Sequence, residues 1–170
     1  MRSAPFPPPY MMLGPQGDLW VPMNGFFPHS RHLAVLERID AYMNSQADLI
    51  ERHHIVWGQV SALEGLSRVM VEVSLYWEDA RTQMMEGYLD HAFLRSKMSF
   101  PPNPGARAAV HTLRMGLINL FREMGAVHIQ IGRVYPYLDS RLPVTADLVR
   151  ALKRELDPQG RMNPGALGLS

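Results

Sequence analysis

The sequence predicts an α+β fold, and the order of its periodic segments leads to that prediction. Stretches in which apolar and polar residues alternate are separated by stretches whose apolar residues recur at helical spacing. Their order is strand, helix, strand, strand, helical pair, strand and final helix. Such an order favours a ferredoxin-like antiparallel sheet with helices on one face, followed here by a C-terminal helix and a docking tail. With 46% hydrophobic and 19% charged residues, the 170-residue chain can bury a core of its own.

The N-terminal third contains an arm, a strand and a helix. Residues 1–17 are expected to be a proline-rich arm or linker, because four prolines among the first nine residues favour polyproline II. Alternation from Leu19 to Phe27 predicts the first strand, which Pro22 places at an edge or a bulge. A helix is expected to start at a Ser30 cap and to end near Asp48. Its predicted inner face consists of Leu33, Leu36, Ile39 and Met43.

A β-hairpin is predicted between residues 53 and 77. Its first strand runs from His53 to Leu63, and a Glu64-Gly65 turn follows. The second strand shows the clearest alternation in the chain, since every other residue from Val69 to Trp77 is apolar. We therefore expect that face to lie in the core.

Two helical segments, a strand and a final helix are predicted next. Residues 80–99 form a helical pattern, Asn103 and Pro104 begin the following helix, and Gly125 ends it. A last strand is expected from Val127 to Ile131, and a last helix from a Thr145 cap to Leu156. The inner faces of the first two helical segments are predicted to be Met84, Met85, Tyr88, Leu89, Phe93 and Leu94, then Val110, Leu113, Leu117, Leu120, Phe121 and Met124.

The C-terminal segment is rich in residues that form turns. Pro158 cannot continue a helix, and Asn163 with Gly160, Gly165 and Gly168 can adopt backbone conformations that other residues avoid. One interpretation is a shaped tail that docks on a neighbour. The other is a helix stop followed by a frayed end.

Composition excludes several classes of function. A net charge of +1 gives no electrostatic reason to expect nucleic acid or an anionic membrane as partner. The absence of cysteine excludes disulfides and thiolate chemistry, which together with the lack of a signal-peptide pattern leads us to expect a cytoplasmic protein. No apolar run approaches the roughly 20 residues of a membrane helix. The histidine pairs, His29 with His32 and His53 with His54, complete no metal motif, so no metal site is predicted.

The C-terminal sequence LKRELDPQGRMNPGALGL resembles the closing segment of FAD-linked oxidases of the vanillyl-alcohol oxidase and p-cresol methylhydroxylase type. The resemblance extends back through GRVYPYLD and VEVSLYWEDA to WVPMNGFFPHSR, which starts at Trp20. It implies that residues 18–138 are a cap, or substrate-binding, domain. It also implies that residues 139–170 are a helix and tail that return to an FAD-binding domain.

The resemblance assigns a substrate-facing role to one tyrosine. Tyr135 falls where these oxidases carry their catalytic tyrosine, and a phenol there can donate to a substrate oxygen. On a strand, Tyr135 and Tyr137 would share one face, and the alternative is two aromatic residues that pack at a rim. The family's aryl-alcohol oxidases follow this tyrosine with an arginine, whose place Pro136 takes. Arg133 and Tyr137 are therefore predicted to bind the substrate.

The same resemblance predicts how a flavin would be held. Val69 and Met70 align near the family's covalent attachment point, and neither side chain can form that bond. FAD is therefore expected without a covalent link, bound mostly by a missing domain or a partner subunit. Asn163 and Arg161 in the tail are expected to face the cofactor. The His-Gly metal signature of the relatives that resemble glycolate oxidase and D-lactate dehydrogenase is absent.

Two functions follow from these observations. The first is the substrate-binding portion or subunit of an FAD-dependent oxidoreductase that oxidises an alcohol, a hydroxy acid or an alkylphenol by hydride transfer. Its partners would be an FAD-binding domain or subunit and a small-molecule substrate. The alternative is a non-catalytic α+β module that has kept the cap fold for dimerisation or ligand binding, with a homo-oligomer as its product.

Overall fold

Three antiparallel strands form the sheet on which the helices pack. The computed structural model describes residues 13–128, 132–135 and 137–169, and in it the strands lie in the order β1-β3-β2. The strands are β1 (Leu19–Pro28), β2 (Val56–Glu64) and β3 (Arg68–Trp77). The helices are α1 (His32–Ser45), α2 (Ala47–Arg52), α3 (Gln83–Tyr88), α4 (His91–Arg95), α5 (Pro104–Glu123) and α6 (Pro143–Leu156), with 3₁₀ turns at His29–Arg31, Leu138–Ser140 and Ala166–Gly168. The predicted α+β class is thus confirmed.

The hairpin and the outer position of β1 follow the sequence prediction. β2 and β3 pair antiparallel around Gly65, whose φ of 66° is the left-handed turn conformation that suits glycine. β1 pairs with the other side of β3, so that its own free edge accommodates Pro22, which has no N–H to donate. The alternating face of the central strand is fully buried and consists of Val69, Val71, Val73 and Leu75.

The core lies between one face of the sheet and two helices, as predicted. α1 and α5 cover that face, and Phe27 of β1 meets Phe121 of α5 edge to face at 5.6 Å between ring centroids. The predicted stripe of α5 is buried along its whole length. Asn103 caps this helix by accepting a hydrogen bond from the Ala106 backbone, with Pro104 at its first position.

The predicted inner face of α1 is partly wrong. Ser30 does not cap the helix, because a 3₁₀ turn at His29–Arg31 precedes it and α1 starts at His32. This turn changes which residues face the sheet, so that Leu33 is exposed. The helix also ends at Ser45, and α2 then runs beyond Asp48 to Arg52. The buried residues of α1 are Val35, Ile39 and Met43.

Residues 80–99 do not form the helical segment predicted for them. Asp90 interrupts it, because its carboxylate accepts hydrogen bonds from the backbones of Ala92 and Phe93 and so starts α4 as a separate helix. Met84 and Tyr88, predicted to face the core, are exposed. Leu89 and Leu94 are buried in a second, small cluster with Leu13 and Leu19.

Asp79 fixes the end of β3 to the start of α5. Its buried carboxylate accepts hydrogen bonds from the backbones of Ala80 and Asn103, each 2.8 Å long, and from Trp77 Nε1. The Arg107 guanidinium adds two more at 2.9 Å. Burial alone raises the pKa of Asp79, but these hydrogen bonds outweigh burial and hold the pKa below its ordinary value.

The predicted fourth strand is described only at its start. Val127 pairs with Phe26 on the free edge of β1, and residues 129–131 lie outside the described residues. The order β1-β3-β2 with this bridge is compatible with a ferredoxin-like sheet, which remains a prediction. Residues 132–135 form bends and Tyr137 lies in a turn, so the prediction of a strand end carrying both phenols is wrong.

The last helix is amphipathic and ends where the sequence predicts. α6 runs from Pro143 to Leu156, but Thr145 lies inside its first turn and does not cap it, because Pro143 already begins the helix after Leu142. None of the helices in the described ranges is long and apolar enough to cross a membrane.

Candidate functional site at the sheet edge and the C-terminal tail

Two side chains hydrogen-bond to the free edge of β1 beside the bridge between Phe26 and Val127. Phe26 and Val127 exchange two backbone hydrogen bonds of 2.7 and 3.0 Å. Two residues further along the edge, the Asn24 carbonyl accepts a hydrogen bond of 2.8 Å from His128 Nδ1. The Asn24 N–H donates to the Tyr135 hydroxyl at 3.2 Å. We call Asn24, His128 and Tyr135 the edge cluster.

The edge cluster presents two buried atoms that have no partner among the described residues. Because a carbonyl can only accept, His128 Nδ1 carries the proton and the lone pair of Nε2 is left without a donor. Asn24 Oδ1 is also without a donor, although Asn24 is only 2% exposed. Buried acceptors are rarely left unsatisfied in proteins, so a donor outside the described residues, from the chain or from a bound molecule, would complete the edge cluster.

Burial keeps the imidazole and the phenol of the edge cluster neutral near pH 7. The rings of His128 and Tyr135 stack with centroids 4.1 Å apart. Burial lowers the pKa of His128, and Arg141 acts in the same direction, whereas the hydrogen bond to Asn24 opposes them. Burial also raises the pKa of Tyr135. A neutral imidazole can accept a proton, and the neutral phenol keeps its own proton for donation.

The predicted substrate residues are separated in the structure. Tyr135 is 6% exposed and turned inward, whereas Tyr137 is half-buried with the Arg141 guanidinium 4.9 Å from its ring centroid. The two phenols therefore do not share a face. Arg133 is exposed, and a Cβ placed on Gly165 would lie 3.9 Å from its Nε, so its guanidinium extends over the tail. Pro136 lies outside the described residues.

The tail is folded around Asp157, and we call residues 157–169 the hook. The Asp157 carboxylate accepts hydrogen bonds of 2.8 Å from the backbones of Arg161 and Met162 and is paired with Lys153. Lys153 Nζ also donates to the Met162 carbonyl at 2.6 Å. The Lys153 ammonium is the main reason that the pKa of Asp157 lies below its ordinary value. The tail is thus shaped, as the turn residues predict, and not frayed.

The hook returns to the segment that carries Tyr135. The Leu167 N–H donates to the Gly132 carbonyl at 2.6 Å, three residues before Tyr135. Asn163 adopts the left-handed conformation, with a φ of 45°. It lines a groove of about 610 Å³ between α6 and the hook. Arg161 is exposed and joins the hook through its backbone, so its guanidinium is available to an anionic group.

One face of α6 is apolar and uncovered by the described residues. Its apolar residues recur every four positions, and Ala146 is the only buried residue of the helix. A helix with such a stripe normally turns it toward a core. We call this face the α6 stripe, and its members are 74%, 60%, 51% and 72% exposed: Val144, Leu148, Leu152 and Leu156.

The described residues also leave the other face of the sheet, opposite the helices, partly exposed. Trp20 stacks on Tyr76 across β1 and β3 with 6.1 Å between ring centroids, and Val56 and Val60 of β2 are exposed. Asn24 belongs to this face by register. The face that the helices leave open is therefore the one that carries a residue of the edge cluster.

Several of these features were not predicted from the sequence. Nothing local distinguishes Asn24 or His128, since their pairing depends on where the chain leaves the sheet. The α6 stripe does have a signal, because four apolar residues spaced by four are legible in the sequence. Among the described residues, no group of three histidine, aspartate or glutamate side chains could hold a metal ion.

Comparisons of the chain with family models, with curated proteins and with solved structures found no match.

Proposed function

We propose that this chain is the C-terminal, substrate-binding portion or subunit of an FAD-dependent oxidoreductase. Its reaction would be the oxidation of an alcohol, a hydroxy acid or an alkylphenol by hydride transfer. FAD would be bound without a covalent link and mostly by another domain or subunit, in the cytoplasm. The observation that carries the proposal is the uncovered α6 stripe next to the folded hook. The flavin chemistry itself rests on the resemblance of the C-terminal segment.

The exposed apolar side chains of α6 support a neighbouring domain. Fully burying a valine or leucine side chain is worth about 1.5–3 kcal/mol, so covering the exposed parts of four would contribute about 4–8 kcal/mol. Monomeric proteins seldom leave a contiguous apolar helix face in water, because it favours association. The hook next to the stripe needs no partner to fold, which leaves it prepared for docking.

The edge cluster supports a role in handling a substrate hydroxyl. Bound FAD would supply the hydride acceptor for such a substrate. When a hydride leaves the carbinol carbon, the hydroxyl proton must move to an acceptor, and His128 Nε2 has the free lone pair for it. The Tyr135 hydroxyl accepts one hydrogen bond and retains its proton, so it can donate to the substrate oxygen.

The residues near the hook fit an anionic cofactor better than the edge cluster does. The unpaired atoms of the edge cluster are acceptors, which a diphosphate cannot satisfy. Arg133 and Arg161 are exposed cations with hydrogen-bond donors, and Asn163 lines the adjoining groove. Arg161 and Asn163 would add contacts to an FAD that is held mostly by the other domain or subunit, whereas Arg133 and the edge cluster would face the substrate.

The test is reconstitution with a candidate FAD-binding domain, which is sought first in the coding sequence next to this chain. The two are co-expressed and purified through a tag on this chain, and flavin absorbance and its anaerobic bleaching by candidate alcohols are recorded. Changing Leu148 and Leu152 to glutamine should weaken association by roughly 10–100-fold, from about 1.5–3 kcal/mol of lost burial. The matched control changes Arg150 and Arg154, on another face of α6, to glutamine and should retain the flavin.

Size-exclusion chromatography with light scattering distinguishes the alternative function. A stable dimer that ignores the FAD-binding domain, and that the same leucine substitutions dissociate, would replace our proposal with a dimerisation module. A yellow complex that bleaches with substrate would support it. Absence of flavin from the co-purified proteins would refute it.

A further inference from the structure

A cleft of about 320 Å³ lies at the end of the sheet where β2 begins and β3 ends. It is separate from the edge cluster. Glu72 of β3 is the register partner of Asn24, and Trp77, at the cleft, lies five residues further along β3, which is a distance of roughly 17 Å. The side chains that define its chemistry are three aromatic and two acidic: Tyr76, Trp77, Phe100, Asp18 and Glu78.

The lining combines aromatic residues with carboxylates, and its described residues include no lysine or arginine. An aromatic ring attracts a cation to its face, and the attraction grows when water is excluded. Asp18 and Glu78 add two negative charges to the same cleft. His54 is an exposed imidazole at the rim. The electrostatics of the cleft therefore favour a positively charged guest.

Neighbouring contacts hold several of the lining groups in place. Trp20 stacks on Tyr76, and Trp77 Nε1 donates to the buried Asp79 carboxylate at 3.3 Å. Asp18 Oδ1 accepts a hydrogen bond of 3.0 Å from the Gln16 backbone. The Glu78 carboxylate has no hydrogen bond or ion pair with any described residue. The cleft thus offers two braced aromatic rings and one carboxylate with no protein partner.

We infer that this cleft binds a small organic cation, in which an ammonium group is joined to a compact apolar body. The ammonium group would lie against an aromatic ring of the cleft and be neutralised by Glu78. A volume of about 320 Å³ is at the lower end for ligand pockets, so the guest is small. This inference goes beyond the proposed oxidoreductase function and does not depend on a flavin.

The test compares a cation with its neutral isostere. Choline and 3,3-dimethylbutan-1-ol have nearly the same shape and differ in charge, and both are titrated into the purified chain. Binding is followed by tryptophan fluorescence and by backbone amide shifts in two-dimensional NMR. Choline should bind saturably and about tenfold or more tightly than the alcohol, with shifts concentrated at Val56, Tyr76 and Glu78. Equal affinities, or no saturable choline binding, would overturn the inference.

Variants then assign the binding to the cleft. Glu78→Gln should weaken choline binding roughly threefold, and Phe100→Leu by a similar factor. Glu64→Gln is the matched control, because this exposed glutamate is eight residues along β2 from Val56, or roughly 26 Å. Circular dichroism confirms that each variant is folded. Equal weakening by Glu64→Gln and Glu78→Gln would show general charge attraction and would also overturn the inference.

Discussion

Replacing Asp79 with asparagine should destabilise the protein far more than removing its partner Arg107. The carboxylate of Asp79 is fully buried and accepts five hydrogen bonds, whereas the Arg107 side chain is 59% exposed. Asparagine has nearly the same shape but only one acceptor oxygen. If that oxygen keeps the backbone donors of Ala80 and Asn103, the amide nitrogen faces Trp77 Nε1 and Arg107 Nε, which are both donors.

The size of the destabilisation by Asp79→Asn follows from these two contacts between donors and from the lost charge. A hydrogen bond to a charged group contributes about 1.5–3 kcal/mol, but the exposed Arg107 end is screened by water and counts for less. We expect Asp79→Asn to lower the free energy of unfolding by about 2–3 kcal/mol and Arg107→Gln to lower it clearly less. For a chain of this size, the Asp79 variant should lower Tm by about 4–12 °C.

Urea unfolding followed by circular dichroism measures both variants. Because the folded-state pKa of Asp79 lies below its ordinary value of 3.8, its contribution is present above that pH and is lost as pH falls through the folded-state value. The stability difference between wild type and Asp79→Asn should therefore shrink below about pH 4. This reasoning would be refuted if Asp79→Asn lowered the free energy of unfolding by less than about 1 kcal/mol, or if Arg107→Gln lowered it more than Asp79→Asn does.

Three further variants test the edge cluster and the packing of α5, and a fourth, in α3, serves as a control. Tyr135→Phe leaves the Asn24 N–H of β1 unpaired and should lower the free energy of unfolding, measured in urea, by about 1 kcal/mol. An unchanged free energy would show that the 3.2 Å hydrogen bond contributes nothing to stability. Burial lowers the pKa of His128, so the contribution of the neutral imidazole to stability is lost as pH falls below about 6.5. His128→Gln should therefore flatten the dependence of Tm on pH between pH 7.5 and about pH 5. An unchanged slope would contradict burial as the cause of the lowered pKa. Gly116→Ala places a Cβ 1.9 Å from the Tyr42 hydroxyl and should lower Tm. The Cβ of Gly87→Ala meets nothing within 4 Å, so this control should leave Tm equal or higher. An increase of Tm for both variants would show that the Tyr42 side chain moves freely.

The sequence predicts the sheet and α5 well because their signals are local. The alternation from Val69 to Leu75 requires only that one face be buried, and the Asn103-Pro104 start of α5 is a cap that works within one turn. Gly65 marks the hairpin for the same reason, since its φ of 66° is disfavoured for other residues. These parts of the fold depend little on distant residues.

The candidate site was harder to predict because it depends on contacts distant in sequence. The Tyr135 hydroxyl meets a backbone 111 residues away, and His128 meets the same residue from 104 residues away. The alternation of side chains along a β-strand predicts that Tyr135 and Tyr137 share one face, but residues 132–135 form bends and not a strand. The resemblance only drew attention to Tyr135, whereas the fold shows that its hydroxyl binds the edge of β1.

The hook is held by contacts within this chain, whereas burial of the α6 stripe would need a neighbour. In the proposed complex, the hook would therefore form first and the stripe would be buried afterwards. The hook is held by polar contacts within residues 153–162 and by the hydrogen bond from Leu167 to Gly132, all within this chain, so we expect it to form before any neighbour arrives. The described residues leave the stripe exposed, and in the proposed complex the neighbour would bury it. Because the hook already fixes the tail, such docking would order few additional residues, and more of the burial free energy would remain for affinity. In that complex, breaking the hook should therefore weaken docking even though the four apolar side chains of the stripe are unchanged.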